Sequence, residues 1–215
     1  MTTFDNSKPA IFLDLDQTLI SAEAYDEIDF TKKRFKKKAS RFNFEDMDGY
    51  YIIFERPYLQ SFLDYLFANF NVSIWTAASK DYALFIIDKF VISRKPERKI
   101  NFIFFSYHCD ISKKVKNGSK DLSILWDFYR INQYNKNNTL ILDDYNEVYE
   151  TQPENCIICP PFYFQNEGSE YDDFLEKLPE KLEKVKNRIS RGKKNPVKDI
   201  NRETMDELEM DELDF

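Results

Sequence analysis

Glycine and histidine are scarce in this chain of 215 residues, and their scarcity excludes two classes of site. Only four glycines are present, and neither GxGxxG nor GxxxxGK followed by Ser or Thr occurs. The glycine-rich loops that hold nucleotide phosphates are therefore not predicted. With one histidine, His108, and no second pair of cysteines, the chain also lacks the clusters typical of zinc sites.

The three cysteines, Cys109, Cys156 and Cys159, do not provide a disulfide framework. Cys156 and Cys159 form a C-x-x-C, but the two isoleucines between them and the flanking proline favour a buried strand over a metal site. This usage predicts small apolar core residues in a reducing compartment.

Long apolar runs are absent too. No stretch approaches the roughly 18 apolar residues of a membrane-spanning helix. The first thirty residues lack the basic segment and apolar run of a signal peptide. We therefore expect a soluble intracellular protein with no membrane partner, and the sequence does not distinguish nucleus from cytoplasm.

Charge is distributed unevenly around a net value of −7. Six of the seven residues from Lys32 to Lys38 are basic, and such a run is most often a solvated loop. Two alternatives stay open: a patch that attracts an acidic, phosphorylated or nucleic-acid partner, and a nuclear import signal. Residues 203–214 supply seven carboxylates without Lys or Arg. We expect residues 190–215 to form a flexible acidic tail that either solubilises the chain or docks a protein partner. Nucleic acid is not expected as the primary partner.

Short apolar runs alternate with amphipathic patterns, which is typical of a parallel α/β sheet. The predicted strands cover residues 10–13, 71–75, 101–105, 139–142 and 156–159. The predicted helices follow Pro57, lie around residues 82–90 and 122–129, and span residues 174–189 with a kink or restart at Pro179. Right-handed crossovers then give one doubly wound, mostly parallel sheet with helices on both faces.

One segment interrupts this alternation. Residues 21–55 form an insertion between the first strand and the first helix, in which two aromatic stretches, residues 42–44 and 50–54, flank Asp46-Met47-Asp48-Gly49. This pattern predicts a small β-hairpin. We therefore expect one domain over residues 1–189 with a hairpin insertion, followed by the tail.

Polar residues stand where three of the predicted strands end. Asp14 and Asp16 follow the first strand, Thr76 follows the second, and Asp143 and Asp144 follow the fourth. Because ligands of doubly wound sheets bind beyond the carboxyl ends of the strands, we expect these side chains at one edge. Clustered carboxylates require a cation, and an oxygen-only set of ligands favours Mg²⁺.

The pattern Asp14-x-Asp16-x-Thr18 has a spacing suited to phosphoryl transfer. Asp14 can attack phosphorus and form an aspartyl phosphate, while Asp16 can protonate the leaving oxygen and later activate water. Thr76 and Lys120 are the candidates to hold the oxygens of the transferred group. Taken alone, the two aspartates fit a turn and helix cap equally well, so the prediction depends on the ordered set of strand ends.

Five stretches spread over about residues 10–180 carry a family resemblance. They are IFLDLDQTLI, ERPYLQSFLDYLFANFNVSIWTAASKDYA, SKDLSILW, LILDDYNEVYETQPENCIICPPF and YDDFLEKLP. Through them the chain resembles the haloacid-dehalogenase superfamily, and within it the branch of phosphatases that act on the C-terminal domain of RNA polymerase II, the NLI-interacting-factor-like domain.

This resemblance implies Asp14 as nucleophile and Asp16 as general acid and base. Asp143 would orient either Lys120 or a metal-bound water. The other implied roles are phosphate binding by Thr76 and Lys120, Mg²⁺ binding by Asp14, Asp144 and the backbone carbonyl of Asp16, and support from Thr18.

The sequence also departs from the family pattern. Gln17 replaces an acidic residue that is frequent at its position, and residues 106–119 contain three lysines but no arginine where small members carry one for the phosphopeptide. By resemblance, Tyr82 matches a tyrosine of an apolar pocket for a substrate proline. The candidates to complete that pocket are Phe42, Phe44 and Tyr51.

We therefore predict a Mg²⁺-dependent phosphatase that hydrolyses phosphoserine or phosphothreonine in proteins through an aspartyl phosphate. A phosphatase for a metabolite or a nucleic-acid end, and a non-catalytic scaffold on the same fold, are the alternatives. The hairpin stands where many metabolite phosphatases carry a large cap, which favours a macromolecular substrate. The complete set of candidate residues argues against the scaffold.

Overall fold

The computed structural model describes residues 4–192 and 197–213, which contain eight strands and seven α-helices. The strands are β1 (Ala10–Leu13), β2 (Ile20–Ala24), β3 (Phe44–Met47), β4 (Tyr51–Glu55), β5 (Asn71–Trp75), β6 (Ile103–Phe104), β7 (Thr139–Asp143) and β8 (Cys156–Ile158). The helices are α1 (Lys33–Ala39), α2 (Leu59–Asn69), α3 (Lys80–Ile86), α4 (Ser106–Lys116), α5 (Asn146–Thr151), α6 (Phe174–Ser190) and α7 (Val197–Leu213).

Five of the strands pair in parallel as the central sheet, in the order β6-β5-β1-β7-β8. By their position in the chain these are its third, second, first, fourth and fifth strands, which is the order of a doubly wound fold. The order reverses at β1, so that β1 and β7 border the point where such folds bind ligands. The predicted doubly wound, mostly parallel sheet is confirmed.

Strand β1 shows why this sheet must be covered on both faces. Its four side chains are all fully buried, and successive side chains of a strand point to opposite faces. Ile11 and Leu13 accordingly pack in one apolar cluster with Phe62 of α2, whereas Phe12 packs in a second cluster with Trp75. Helices on both faces are thus required to exclude water from a continuous apolar strand.

The insertion forms a separate antiparallel sheet in the order β2-β4-β3. The predicted hairpin is present as β3 and β4, and Asp48 and Gly49 adopt the positive φ values of 50° and 74° in its turn. Strand β2 adds a third strand that the sequence did not predict. The basic run, predicted as a solvated loop, instead forms α1, with Lys32, Lys33, Lys36 and Lys37 exposed.

Two helices, α4 and α5, were not predicted, since they carry little apolar periodicity. Among the residues of α4 only Cys109 and Ser112 are buried, and α5 has one turn and a half with Val148 as its buried residue. Helix α3 continues as π-helical turns over Ile87–Ile92, and the helix predicted around 122–129 is a π-helical turn over Ile124–Phe128. Helix α6 passes through Pro179 as one helix. No helix within the described residues is both long enough and apolar enough to span a membrane.

The C-terminal segment differs from the predicted flexible tail. Helix α7 begins at Val197, and its side chains Val197, Ile200, Asn201 and Thr204 are buried. Asn201 donates to Cys156 O at 2.8 Å and accepts from Ile158 N at 3.0 Å, so the helix satisfies free backbone groups on the edge strand β8. The flexible-tail prediction is therefore wrong for this part. The side chains of residues 207–215, with the predicted docking role of the acidic segment, lie outside the described residues.

If α7 is an integral part of the domain, Ile200→Ala will lower the free energy of unfolding by about 2–4 kcal/mol, because it opens a cavity where Ile200 is only 4% exposed. Met205→Ala, on the same helix but at 37% exposure, is the matched control and should cost about 0.5 kcal/mol. Urea unfolding of both variants makes the comparison. Equal, small losses would show that α7 does not pack as described.

Candidate active site

The predicted catalytic residues meet at the carboxyl edge of the central sheet. Asp14 directly follows β1, and its N–H bonds Leu142 O of β7 at 3.0 Å. Thr76 directly follows β5, and its N–H bonds Phe104 O of β6 at 2.9 Å. Asp143 ends β7, with Asp144 next. Hydrogen bonds of the parallel ladder therefore fix the spacing of these side chains.

Lys120 is the cation of the site. Its Nζ lies 2.6 Å from Asp14 Oδ1 and 2.7 Å from Asp143 Oδ2, and the side chain is 5% exposed. Burial acts to lower the pKa of the Lys120 ammonium, but the charges of Asp14 and Asp143 outweigh it and raise that pKa above its ordinary value. Lys120 therefore stays protonated and neutralises part of the carboxylate cluster.

Residues that sequence reasoning missed hold the backbone around Lys120. Gln152 donates from Nε2 to Lys120 O at 2.7 Å and accepts at Oε1 from Leu122 N at 3.0 Å. Glu147 accepts from both Ser119 N and Ser119 Oγ at 2.9 Å. The sequence gives no signal of such contacts, which join polar residues of segments about 30 residues apart.

Gly118 is a further requirement of the same loop. A Cβ built on Gly118 would lie 2.9 Å from Thr151 Cγ2, which is closer than side-chain atoms normally approach. Glycine thus allows the loop before Lys120 to pass against α5.

Three carboxylates form a compact cluster at the ends of β1 and β7. Asp14, Asp143 and Asp144 each place one oxygen within 4.8 Å of the other two. Burial, followed by the charge of Asp14, raises the pKa of Asp144 to about 6, and the same two causes raise the pKa of Asp143 against the opposing effect of Lys120. One lysine does not neutralise this cluster, and its oxygen-only donor set fits a hard divalent cation.

Asp16 is held apart from this cluster. Tyr82 of α3 donates from its hydroxyl to Asp16 Oδ1 at 2.6 Å. Burial raises the pKa of Asp16 to about 6, although the hydrogen bond from Tyr82 opposes the shift. The structure therefore separates two aspartates of one motif into different environments.

Two hydroxyl groups complete the edge. Thr18 donates to Asp144 Oδ1 at 3.2 Å and so ties the loop after β1 to the end of β7. The Thr76 hydroxyl is buried and accepts from Ala78 N at 3.1 Å, which leaves its own proton free for an acceptor in the site.

A cavity of about 420 Å³ opens beside Asp16. Tyr51 and Tyr82 line it as predicted, and their rings lie 5.7 Å apart. The structure adds five lining residues that the sequence did not indicate: Met47, Tyr50, Ala78, Ser79 and Asp81.

Phe42 and Phe44 do not line this cavity, so the predicted pocket is wrong at these two positions. Phe44 pairs with Phe54 across the hairpin, whereas Met47 pairs with Tyr51. Residues 51 and 54 lie on opposite faces of β4, because side chains alternate along a strand. Phe44 therefore belongs to the face of β4 opposite the cavity, and Phe42 packs there against the buried rings of Phe54, Phe162 and Phe164.

Arg56 is a second buried cation near the site, and unlike Lys120 it was missed by sequence reasoning. Its guanidinium binds Asp172 at 2.9 and 2.8 Å and donates to Thr18 O at 3.1 Å and Pro160 O at 2.9 Å. The residue is 1% exposed. These bonds anchor the loop that carries Asp16 and Thr18 to the segment before α6.

The site combines two aspartates after β1, a hydroxyl after β5, a buried lysine and an acidic pair at the end of β7. On a doubly wound sheet, these features define the class of haloacid-dehalogenase-type phosphatases. Comparison with known families agrees, since the NLI interacting factor-like phosphatase family matches residues 9–191. The chain belongs to this family.

The chain is also similar to individual proteins whose names are known. It is 51% identical over 175 residues to CTD phosphatase-like protein 355R of Invertebrate iridescent virus 6, covering 80% of this chain and 96% of the relative. It is 43% identical to the protein of the same name from Invertebrate iridescent virus 3, covering 85% and 99%. Ubiquitin-like domain-containing CTD phosphatase 1 of Danio rerio is 28% identical, covering 60% of this chain and 42% of that protein.

A solved structure supports the fold. The chain is similar to Fcp1, described as an essential RNA polymerase II CTD phosphatase, with a TM-score of 0.51 and 20% identity. The match covers 85% of this chain and 50% of the Fcp1 chain, so it spans half the length of that protein.

If Lys120 is what permits the carboxylates to be buried together, Lys120→Met will lower the free energy of unfolding by about 3–5 kcal/mol, because two buried carboxylates lose their counter-charge. Lys116→Met removes the more exposed pair with Asp127 and should cost less than about 1 kcal/mol. Urea unfolding measures both. Adding Asp143→Asn to Lys120→Met should recover part of the loss, and full stability of Lys120→Met would contradict the assignment.

Proposed function

We propose that this protein is a Mg²⁺-dependent phosphoserine or phosphothreonine phosphatase that works through an aspartyl phosphate on Asp14. The observation that carries the proposal is the convergence of Asp14, Asp143 and Lys120 within hydrogen-bonding distance at the carboxyl end of β1. Asp16 stands two residues away in a separate environment. One carboxylate is thus available as nucleophile and another as acid.

In the first half of the reaction, an oxygen of the Asp14 carboxylate attacks phosphorus while the bond from phosphorus to the serine or threonine oxygen breaks. The leaving oxygen takes a proton from Asp16. The products are the free hydroxyl side chain and a phosphorylated Asp14. Tyr82 keeps Asp16 in place through its 2.6 Å hydrogen bond, so that Asp16 does not turn towards the carboxylate cluster.

In the second half, water attacks the same phosphorus atom and Asp16, now ionised, takes the proton of that water. The bond between phosphorus and Asp14 breaks, which releases inorganic phosphate and restores the Asp14 carboxylate and the protonated Asp16. Thr76 and Lys120 would hold the phosphoryl oxygens in both halves. Such preorganised donors act on the charge that develops in the transition state.

Asp14, Asp144 and the backbone carbonyl of Asp16 would hold Mg²⁺. The ion, when bound, supplies positive charge that screens the phosphate from the anionic nucleophile. Asp143 accepts a hydrogen bond from the Lys120 ammonium at 2.7 Å, which supports its role as the residue that orients this lysine.

A protein substrate is favoured by the shape of the site and by the relatives. The insertion provides only a small three-stranded sheet and one short helix beside the site, so an extended peptide has room to enter. The viral relatives carry the name CTD phosphatase-like, and the chain covers nearly all of their length. These observations support a phosphopeptide over a small metabolite.

The central test is phosphate release from a phosphoserine heptad-repeat peptide, with and without Mg²⁺. Asp14→Asn should reduce the rate by about 10³-fold or more, since an amide does not replace the nucleophile. Asn still accepts a hydrogen bond from Lys120, so the fold should persist. The matched control is Asp110→Asn, an exposed residue of α4 outside the site, which should act at the wild-type rate.

The outcomes separate the alternatives. Turnover of an aryl phosphate without release from the peptide would retain the chemistry and reject the protein substrate. An active Asp14→Asn would reject Asp14 as nucleophile. Inactivity on every phosphate ester would contradict the proposed function as a whole.

Metal binding has a test of its own. Asp144→Asn should raise the Mg²⁺ concentration for half-maximal activity by about tenfold or more, because a charged oxygen ligand becomes neutral while the amide oxygen can still accept from Thr18. A Mg²⁺ titration of activity in wild type, Asp144→Asn and Asp110→Asn measures the shift. An unchanged titration for Asp144→Asn would remove this residue from the ligand set.

A further inference from the structure

The cavity beside Asp16 is walled by tyrosines. The Tyr51 and Tyr82 rings are nearly perpendicular, with centroids 5.7 Å apart and an angle of 79° between their planes, and Tyr50 on the hairpin turn is 72% exposed at the same cavity. Three electron-rich rings therefore line one cavity. This is the arrangement in which aromatic side chains recognise a cation.

The charged groups of the cavity are all acidic. Its lining residues include Asp16 and Asp81 but no lysine or arginine, and Lys80, next in the chain, is not part of the lining. Asp81 lies in the first turn of α3 and is exposed. Within the described residues the Asp81 side chain has no hydrogen bond or ion pair, so its charge is available to a guest.

We propose that this cavity, formed by Tyr50, Tyr51, Asp81 and Tyr82, binds a lysine or arginine side chain of the substrate next to the phosphorylated residue. The proposal rests on the proposed function and names its substrate class: phosphopeptides with a basic residue beside the phosphate. Because Asp16 belongs both to the cavity and to the catalytic motif, a side chain in the cavity lies one residue or so from the reacting phosphate.

The carboxylate of Asp81 is the group by which the cavity would distinguish a basic side chain from an apolar one. A proline or norleucine side chain would gain from contact with the tyrosines but nothing from the carboxylate. A cation gains both from the ring faces and from the ion pair with Asp81. Together these correspond to roughly a tenfold preference in kcat/KM.

The test compares phosphoserine peptides that are identical except for the residue after the phosphoserine, which is lysine, norleucine or proline. Norleucine keeps the length of the lysine stem without its charge. We expect kcat/KM for the lysine peptide to exceed that for the norleucine peptide by about tenfold. Asp81→Asn should reduce this ratio to about twofold and leave the norleucine peptide nearly unchanged, since Asp81 has no partner in the described residues.

Two controls make the result specific. Asp110→Asn removes the same charge from α4 outside the cavity and should keep the full preference for lysine. Tyr50→Leu should keep the norleucine rate and lower the lysine rate by about threefold, because the cavity loses an aromatic face but not its apolar contact.

The possible outcomes are distinct. A preference for the proline peptide, or a lysine-to-norleucine ratio that Asp81→Asn does not change, would overturn the cation site and leave the phosphatase proposal standing. Turnover of an aryl phosphate without release from any of the three peptides would overturn the protein substrate and this site with it. Loss of the lysine preference in Asp81→Asn but not in Asp110→Asn supports the site.

Discussion

The ion pairs of Lys120 with Asp14 and Asp143 are the contact on which the rest of the site depends. Carboxylates at the ends of β1 and β7 come together because the parallel ladder places them there, and burial makes their mutual repulsion expensive. An ammonium between them converts this repulsion into two short hydrogen bonds. Specific contacts therefore position the loop around Lys120: Gly118 lets it approach α5, while Glu147 and Gln152 hold its backbone. A change in the Lys120 loop therefore acts directly on Asp14, the proposed nucleophile.

Most of what positions the site follows from short-range patterns. Each strand of the central sheet appears as an apolar run, and the residue after the run has to lie at the carboxyl edge, so Asp14, Thr76 and Asp143 could be placed together from the sequence. Lys120 follows no predicted strand; it was included as the available ammonium and through the family resemblance. Glu147 and Gln152, which hold the backbone around Lys120, were not detected, because a polar residue looks the same in the sequence whether it faces water or a backbone group.

The misplaced residues have physical causes as well. Phe42 and Phe44 were assigned to the pocket because aromatic residues in a hairpin near the site are suitable walls. The hairpin register turns them to the other face, and no composition-based argument detects a register. Helix α7 was missed because charged residues of both signs surround a narrow buried stripe of Val197, Ile200 and Thr204. Asn201 anchors that stripe to β8 through two backbone hydrogen bonds, a role that amino-acid type alone does not indicate.

The balance of charge at the site also bears on how it selects a substrate. One ammonium opposes the carboxylates Asp14, Asp143 and Asp144, and a phosphate monoester would bring further negative charge to the same edge. A divalent cation at the cluster would offset part of this excess, but Asp81 lies outside the cluster, in the first turn of α3. Its charge remains on the tyrosine-lined side, where a cation of the substrate can pair with it. On this argument the residue beside the phosphate contributes to binding through its charge as well as its shape, and Asp81, a carboxylate apart from the cluster, makes the surroundings of the phosphate selective.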